Sequence, residues 1–255
     1  MSLPLDDRGL LLGDGLFETL LVIDGAPVWW GEHMARLRRG CLALGLPEPA
    51  EDDALACARQ ALAAQPAHPR AALRLTWTAG SGGRGLDRPA NLAPRLLASL
   101  APAPRPTDTL RLATASVRRN AGSPASRHKT LAYLDNVLAR REAQAAGADE
   151  AVMLNTAGEV ACAAAANIFW VEDGELFTPA LDCGVLDGLA RAAVMARAAT
   201  LGVAVSEMRA GAEVLGRAEA VFLTNSLLGL RPAATLDERR LNRPPLLDAL
   251  ADGLF

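Results

Sequence analysis

Residues 128–138, His-Lys-Thr-Leu-Ala-Tyr-Leu-Asp-Asn-Val-Leu, contain the only lysine of this 255-residue chain. Lysine and arginine together number 26, so the other 25 are arginines. A guanidinium stays protonated and is a poor nucleophile, whereas an amine can lose its proton and form a Schiff base with an aldehyde. The sequence therefore favours a chemical role for Lys129; the alternative is a surface residue left over by codon bias.

The composition is that of an ordinary globular protein, with 51% hydrophobic residues, 22% charged residues and a net charge of −3. The arginines are dispersed, so no basic surface for nucleic acid is predicted. The acidic pair Asp6-Asp7 stands where a secretory signal would need a basic region, and no stretch is long enough to span a membrane. We therefore predict a cytoplasmic protein without a membrane segment.

Metal and disulfide chemistry are not expected from this sequence. The cysteines lack any CxxC spacing, and the chain has only three histidines. These features argue against a disulfide framework and against a metal site. The four cysteines are Cys41, Cys57, Cys162 and Cys183.

Just before Lys129, residues 116–128 form a polar, irregular run that contains Gly, Ser, Asn and Pro. We interpret this run as a connection between a smaller N-terminal domain, residues 1–115, and a larger C-terminal domain, residues 129–255. In the first domain, Asp24-Gly25 predicts a hairpin turn. The predicted hairpin strands are 16–23 and 27–30, the helices 31–44 and 50–65, and the further strands 70–78, 93–100 and 109–115.

The second domain is also predicted to mix helices and strands. Apolar residues at helical spacing alternate with short β-type runs, and no repeat interrupts them. The fold class is therefore mixed α and β. The predicted helices are 132–146, 188–201 and a short one at the end of the chain, and the predicted strands are 150–155, 159–164, 166–172, 175–177, 203–208, 219–224 and 229–234.

The run Gly80-Ser81-Gly82-Gly83-Arg84-Gly85 formally matches the dinucleotide motif GxGxxG. No helix is predicted to begin after it, so we reject that interpretation. Two alternatives stay open. The run is either a loop that brings Arg84 to a substrate carboxylate, which the guanidinium can bind with two hydrogen bonds, or an ordinary hairpin tip.

Three further segments could bind an anion, although each also has a purely structural explanation. Arg36 lies in the first predicted helix, where it could simply be a solvated residue. The small residues of 184–188 would leave backbone N–H groups available at a helix start. Thr224-Asn225-Ser226 follows an apolar run and could either cap a turn or bind an anion.

Short motifs extend through almost the whole chain and together resemble one family. They are Asp7-Arg8-Gly9, residues 13–19 (GDGLFET), His33 with Arg36-Leu37, residues 129–138, residues 147–151 (GADEA), Asn167-Ile168-Phe169, Thr178-Pro179, residues 188–191 (GLAR) and residues 222–226 (FLTNS). In this order they resemble the class IV pyridoxal-phosphate enzymes. That family includes branched-chain and D-amino-acid aminotransferases and 4-amino-4-deoxychorismate lyase.

The resemblance implies a two-domain fold of the D-amino-acid aminotransferase type and bound pyridoxal 5'-phosphate. It also implies a small-molecule amine substrate and a homodimer. Carried over by position, it implies that Lys129 forms the Schiff base with the cofactor and that Arg36 binds its phosphate. The other implied phosphate ligands are the backbone of Leu189 and Ala190, with Asn225 and Ser226.

One position departs from the family pattern. The family has a glutamate five residues before the Asn of Asn-Ile-Phe, where its carboxylate keeps the pyridine nitrogen protonated, and this chain has Cys162 there. Glu159 is not expected to substitute, because residues three apart in a strand face opposite sides. Loss of a charge-assisted hydrogen bond costs about 1.5–3 kcal/mol, or roughly 10 to 150-fold in rate.

Within the family, residues 80–85 most resemble the lyase branch, where such a loop lies near the substrate carboxylate. The arginine often found just before that loop is replaced by Ala79. We therefore predict a lyase that converts 4-amino-4-deoxychorismate to 4-aminobenzoate and pyruvate in folate biosynthesis. The alternatives are an aminotransferase of D-amino or branched-chain amino acids, and a cofactor-binding protein with little turnover.

Overall fold

The computed structural model describes residues 3–65, 68–103 and 108–255. Its contacts divide the chain into two compact units, Met1–Pro104 with His128–Ala132, and Arg105–Arg127 with Tyr133–Phe255. Both units combine helices with a sheet, so the predicted mixed α and β class is confirmed. The domain limits predicted from the sequence stay a prediction. In the described ranges, no helix is long and apolar enough to cross a membrane.

The first unit is a four-stranded antiparallel sheet with the strand order β2-β1-β3-β4. The predicted hairpin is confirmed: Asp24 and Gly25 both have positive φ, as a two-residue turn of this hand requires. The elements are α1 (Arg8–Leu12), β1 (Gly15–Ile23), β2 (Ala26–Pro27), α2 (Trp30–Leu44), α3 (Glu51–Ala63), β3 (Arg70–Thr78) and β4 (Arg95–Pro102).

Strand β1 organises this unit because its two faces have different neighbours. Leu16 and Leu20 point to the core, where they belong to one cluster with Met34 of α2. Alternation in a strand places Glu18 on the same face and Phe17 on the opposite one. A buried carboxylate therefore lies on the face of β1 that packs against α2.

The segment around Lys129 pairs with the beginning of β1. The Phe17 N–H donates to the Lys129 carbonyl at 2.9 Å, and the Leu131 N–H donates to the Gly15 carbonyl at 3.0 Å. Leu16 and Thr130 form an antiparallel bridge. The backbone of Lys129 is therefore attached to the central part of the first unit.

The second unit is built around a mixed sheet of nine strands in the described residues. Along the sheet the order is β10-β9-β8-β11-β12-β5-β6-β7, and β13 pairs with β12. The strands are β5 (Leu110–Thr114), β6 (Glu150–Leu154), β7 (Val160–Ala163), β8 (Asn167–Glu172), β9 (Glu175–Pro179), β10 (Val205–Met208), β11 (Ala220–Asn225), β12 (Gly229–Leu236) and β13 (Arg239–Arg240).

Five helices of the described chain belong to this unit: α4 (Pro124–Arg127), α5 (Leu134–Ala145), α6 (Leu189–Thr200), α7 (Glu213–Arg217) and α8 (Pro245–Ala251). Side chains of α6 and α8 pack with Phe169 and Phe222 on one face of the sheet, where the two rings stack with centroids 5.0 Å apart. Ile168 and Trp170 point to the other face and a separate cluster.

The helices and strands predicted from periodicity are confirmed, with ends that differ by a few residues, except for the predicted strand 27–30. Only Pro27 of that range lies in β2, because the backbone turns at Trp29, where φ is +54°, and Trp30 begins α2. The short elements α1, α4, α7 and β13 were not predicted, because four or five residues cannot display a helical period and two cannot display an alternation. One irregularity affects the site. In β7, Met153 pairs with Cys162 but Leu154 pairs with Val160, so β7 contains a bulge.

Candidate active site

Lys129 is half-buried, and its side chain lies against an aromatic ring. Its Nζ is 4.2 Å from the centroid of the Phe17 ring. The guanidinium carbon of Arg74 is 3.7 Å from the same centroid. Phe17 therefore holds two cationic side chains close to its ring by cation–π attraction. The backbone of Lys129 is also paired with β1. Both the backbone and the amine of Lys129 therefore contact the same strand.

Arg36 is buried on α2 and is held by Glu18 of β1. Its Nε donates to Glu18 Oε1 at 2.8 Å, and its Nη2 donates to Glu18 Oε2 at 2.6 Å. This is a two-point contact of the kind that fixes the plane of a guanidinium. Burial favours a raised pKa for Glu18, but the hydrogen bonds and charge of Arg36, with smaller effects of His33, lower it to about 2.

His33 contacts the same carboxylate from one turn earlier on α2. Its Nδ1 lies 2.7 Å from Glu18 Oε2, and because an ionised carboxylate only accepts, Nδ1 is the donor. Burial lowers the pKa of His33 and outweighs the opposing effect of Glu18, while the charges of Arg36 and Lys129 lower it further. A neutral ring results, whose Nε2 is buried without a hydrogen-bond partner among the described residues.

In the second unit, the first turn of α6 leaves backbone donors for an anion. Gly188 is the N-cap and provides no side-chain cap, and the first N–H bonded within this turn is that of Ala192. A Cβ on Gly188 would lie 1.9 Å from Asn167 Oδ1, so any larger residue would have to displace this side chain. Among the described residues, the N–H groups of Leu189 and Ala190 donate to no acceptor, and the helix dipole favours negative charge at this end.

The end of β11 lies on the same face of the sheet as this helix start. Thr224 pairs directly with Asn167, and directly paired residues of antiparallel strands share a face. Asn167 Nδ2 in turn donates to the Leu186 carbonyl at 2.9 Å, so it holds the loop that leads into α6. The Thr224 hydroxyl is buried and has no hydrogen-bond partner among the described residues.

Asn225 shapes a turn in the structure. Its Oδ1 accepts from the Leu227 and Leu228 N–H groups at 3.0 and 2.9 Å, and its Nδ2 donates to the Ala165 carbonyl at 3.2 Å. Of the two roles predicted for Thr224-Asn225-Ser226, capping a turn or binding an anion, Asn225 therefore has the first. Ser226 is the half-buried residue presented by that turn.

Cys162 is buried within an apolar cluster that consists mostly of alanines, among them Ala139 and Ala143, and also contains Met153. Burial raises the pKa of its thiol, Arg119 opposes that effect and Glu150 adds to it, so the thiol is neutral. Because of the bulge in β7, residues 159 and 162 need not face opposite sides of the sheet. The reason given from the sequence against Glu159 therefore does not hold. Glu159 is instead engaged by Arg209 Nε at 2.9 Å and Asn155 Nδ2 at 2.7 Å.

Arg84 is exposed at the tip of a loop that joins β3 to β4. Arg8 holds this loop: its Nη1 donates to the Asp87 carbonyl and its Nη2 to the Leu86 carbonyl, each at 3.0 Å. A Cβ at Gly83, where φ is +81°, would lie 2.1 Å from the Asp87 oxygen. The glycines therefore permit a tight loop between two antiparallel strands, and no helix follows it, in contrast to the dinucleotide motif.

Sequence reasoning assigned no role to three buried side chains that support these residues. They are Glu18 and Asn167, which stand in the quoted motifs, and Arg119, which does not. Arg119 donates to Asn136 Oδ1 at 3.0 Å and to the Ser126 carbonyl, which are on the two sides of Lys129 in sequence. Glu18 could have been found as the one charged residue in the apolar run 16–23. Arg119 had no such signal, because one arginine among 25 carries no pattern.

Comparisons with known proteins identify the family. The profile of amino-transferase class IV matches residues 15–236. A 4-amino-4-deoxychorismate lyase structure from Pseudomonas aeruginosa is 34% identical, with a TM-score of 0.88 over 100% of this chain and 94% of that chain. A branched-chain aminotransferase structure from Thermoproteus uzoniensis is 28% identical, with a TM-score of 0.91 over 99% of this chain and 88% of that chain. The chain belongs to the class IV aminotransferase family.

The cofactor of this family is pyridoxal 5'-phosphate. A PLP-bound structure of a hypothetical aminotransferase from Mycobacterium tuberculosis is 26% identical, with a TM-score of 0.86 over 100% of this chain and 92% of that chain. The second unit fits the phosphate of such a cofactor, because the uncapped start of α6 and the unpartnered hydroxyl of Thr224 are donors that a phosphate needs. The predicted cofactor is confirmed.

Proposed function

We propose that this enzyme is a lyase that converts 4-amino-4-deoxychorismate to 4-aminobenzoate and pyruvate, a step of folate biosynthesis. The observation that carries the proposal is the neutral, buried thiol of Cys162 at the position where the family pattern has a glutamate. The likeness to the Pseudomonas aeruginosa lyase supports it.

The proposed roles follow the chemistry of each group. When bound, pyridoxal 5'-phosphate supplies an aldehyde that bonds to amines and a ring that withdraws electrons. Lys129 holds this group covalently and, once its amine is released, removes the proton from the substrate carbon that bears the nitrogen. Arg36, the backbone of Leu189 and Ala190, and Ser226 bind the phosphate. Asn225 shapes the turn that presents Ser226.

A neutral thiol changes which reactions are favoured. Cys162 offers the ring nitrogen no charge-assisted hydrogen bond, so electron withdrawal is weaker than with a carboxylate. In the elimination, the bond to enolpyruvate on the neighbouring carbon breaks and its electron pair leaves with enolpyruvate. The product that remains is aromatic. Transamination has no such exit for the electrons and depends more on withdrawal by the ring. Cys162 therefore favours elimination.

We assign the substrate carboxylate to Arg84. The loop that carries it is anchored by Arg8, whose Nε is paired with Asp14 at 2.9 Å, and Arg88 binds the same Asp14 at 3.0 Å. This anchoring supports the assignment, because a guanidinium on a fixed loop loses less freedom when it binds a carboxylate in the two-point geometry.

We also propose that the enzyme is a homodimer. Leu134, Val137 and Leu138 are 68%, 59% and 41% exposed on one side of α5. Leu10, Leu11 and Leu12 are exposed on α1. Clusters of exposed apolar side chains are common at protein interfaces, which supports association of two copies. The cytoplasmic location expected from the sequence stays a prediction.

An aminotransferase of D-amino or branched-chain amino acids is the second candidate. The likeness to the Thermoproteus uzoniensis aminotransferase favours it. A third candidate is a protein that binds the cofactor but turns over little, for which Cys162 is again the reason. Conversion of 2-oxoglutarate or pyruvate to an amino acid distinguishes the second candidate from the lyase.

The test combines product analysis with a matched lysine variant. Incubation of the cofactor-loaded enzyme with 4-amino-4-deoxychorismate is expected to yield equal amounts of 4-aminobenzoate and pyruvate. Lys129→Arg keeps the positive charge but removes the nucleophilic amine, so turnover should fall by about 10³-fold or more. Borohydride should attach the cofactor to a single peptide, the one containing residue 129, in the wild type only.

Two outcomes would overturn the assignment. An enzyme that is labelled on Lys129 yet forms no 4-aminobenzoate is not the proposed lyase. Borohydride labelling of Lys129→Arg equal to the wild type would remove Lys129 from the site.

A further inference from the structure

We propose that Glu18 is a positioning residue for Arg36, orienting its guanidinium toward the phosphate of the cofactor, and that His33 holds Glu18 in place. This inference rests on the proposed phosphate role of Arg36. None of the three residues needs to react: Glu18 acts through Arg36, and His33 acts through Glu18.

The geometry of the pair fixes the orientation of the Arg36 guanidinium. Glu18 uses the Nε and Nη2 donors of Arg36, at 2.8 and 2.6 Å. A guanidinium has five N–H donors in one plane. The contact with Glu18 therefore fixes that plane and directs the Nη1 edge away from the carboxylate.

Glu18 itself is immobilised by a third donor and by its surroundings. His33 Nδ1 donates to Oε2 at 2.7 Å, so the carboxylate accepts from two different side chains of α2. Glu18 is 1% exposed and His33 is fully buried. Leu16 and Leu20 on the same face of β1 are apolar neighbours, and a surrounding of low polarity strengthens these hydrogen bonds.

A purely structural role explains this arrangement less well. Buried ion pairs are weak contributors to stability, because desolvation offsets the attraction, and apolar side chains of similar volume often stabilise as much. Their better use is to specify orientation. Here the oriented group is an arginine, and the neighbouring residue of β1, Phe17, contacts Lys129. Neighbouring residues of β1 thus contact both Arg36, the proposed phosphate ligand, and Lys129, the proposed reactive amine.

The test compares two ligands that differ only by the phosphate. Binding of pyridoxal 5'-phosphate and of pyridoxal is measured by spectral titration for the wild type and for Glu18→Gln. If Glu18 acts through Arg36 on the phosphate, Glu18→Gln should weaken pyridoxal 5'-phosphate binding by about 10-fold and leave pyridoxal binding within about twofold. An equal loss for both ligands, or tighter binding of the phosphorylated one, would contradict the proposal.

Matched variants separate orientation from charge and fold. Glu18→Asp keeps the charge but shortens the side chain, so the phosphate-dependent loss should persist. Glu51→Gln removes the carboxylate of another ion pair of the first unit, Arg38–Glu51, which is solvent-exposed, and should leave both affinities unchanged. In an Arg36→Gln background, Glu18→Gln should cause no additional loss; an additive loss would show that Glu18 acts elsewhere.

This readout is independent of the reaction catalysed. A protein that prefers pyridoxal 5'-phosphate over pyridoxal through Glu18 and Arg36 but makes no 4-aminobenzoate would overturn the lyase and keep this inference. If Arg36→Gln alone left the preference for the phosphorylated ligand unchanged, the phosphate role of Arg36 and this inference would both fail.

Discussion

At the scale of single residues, the environment of Cys162 determines its charge. The thiol lies among alanines and Met153, only 6% exposed, and its raised pKa leaves it neutral. Arg119 is the nearby cation, and it donates to the Asn136 amide oxygen and to the carbonyl oxygens of Ser126 and Gly184. A carboxylate introduced at residue 162 would therefore meet a buried positive charge that favours its ionised form.

Cys162→Glu tests how the reaction depends on this residue. For an enzyme adapted to elimination, we expect 4-aminobenzoate formation to stay within about threefold of that of Cys162→Gln, which adds the same volume without the charge. Transamination should remain low in both. Thermal melts first check that each variant is folded. Steady-state rates are then measured with 4-amino-4-deoxychorismate and with transamination substrates.

The contrary result has a definite size. A charge-assisted hydrogen bond contributes about 1.5–3 kcal/mol, or roughly 10 to 150-fold in rate. A gain of that size in transamination for Cys162→Glu, absent from Cys162→Gln, would indicate an aminotransferase that has lost its carboxylate.

At the scale of elements, the start of α6 is defined by packing against β8. Gly188 has φ of −80° and ψ of 135°, which any residue can adopt, so backbone strain does not require glycine there. The requirement comes from Asn167, whose side chain occupies the space of a Cβ and also binds the loop before the helix. The backbone donors of α6 that we propose for the phosphate are thus positioned by a side chain of the sheet.

Gly188→Ala is expected to disturb both folding and cofactor binding. The new Cβ would displace Asn167, with a cost of about 1–3 kcal/mol in the free energy of unfolding. Affinity for pyridoxal 5'-phosphate should fall with it, as measured by spectral titration. Gly216→Ala is the matched control: it lies in α7 with open space around the Cβ position, so it should be neutral or slightly stabilising. Equal melting temperatures for the two variants would contradict the role of Asn167.

At the scale of the whole molecule, the chain consists of two compact units, and each has apolar side chains that it does not bury. On α5, the spacing of Leu134, Val137 and Leu138 follows the helical period, which is the pattern of a face that packs against a partner. A second copy of the chain would remove this surface from water.

Val137→Glu should therefore weaken dimerisation. A charge in the centre of the exposed stripe of α5 would have to be desolvated in the dimer, and we expect a shift from dimer to monomer at micromolar concentration in sedimentation experiments. Leu42→Glu, at a position that is 81% exposed on α2, is the control and should remain dimeric. A monomeric wild type, or an unchanged dimer of Val137→Glu, would contradict the proposal.

The sequence predicted those features that depend on local patterns. The hairpin at Asp24-Gly25 and the helix over 31–44 were found because turn residues and periodicity act over short distances. The resemblance identified the family and its cofactor. The bulge in β7 was not foreseen, because it arises from pairing with β6 and leaves no mark in the residues 160–163 themselves.

By itself, the sequence determined the mixed fold class, the singular lysine and the residue types available for a phosphate, because these follow from composition, periodicity and order along the chain. Only the tertiary structure decided that Glu18 binds both Arg36 and His33, that the Asn167 side chain occupies the Cβ position of residue 188 and that Asn225 caps a turn. These contacts join residues that are far apart in sequence or depend on backbone geometry, and their energies depend on burial, which no local pattern specifies.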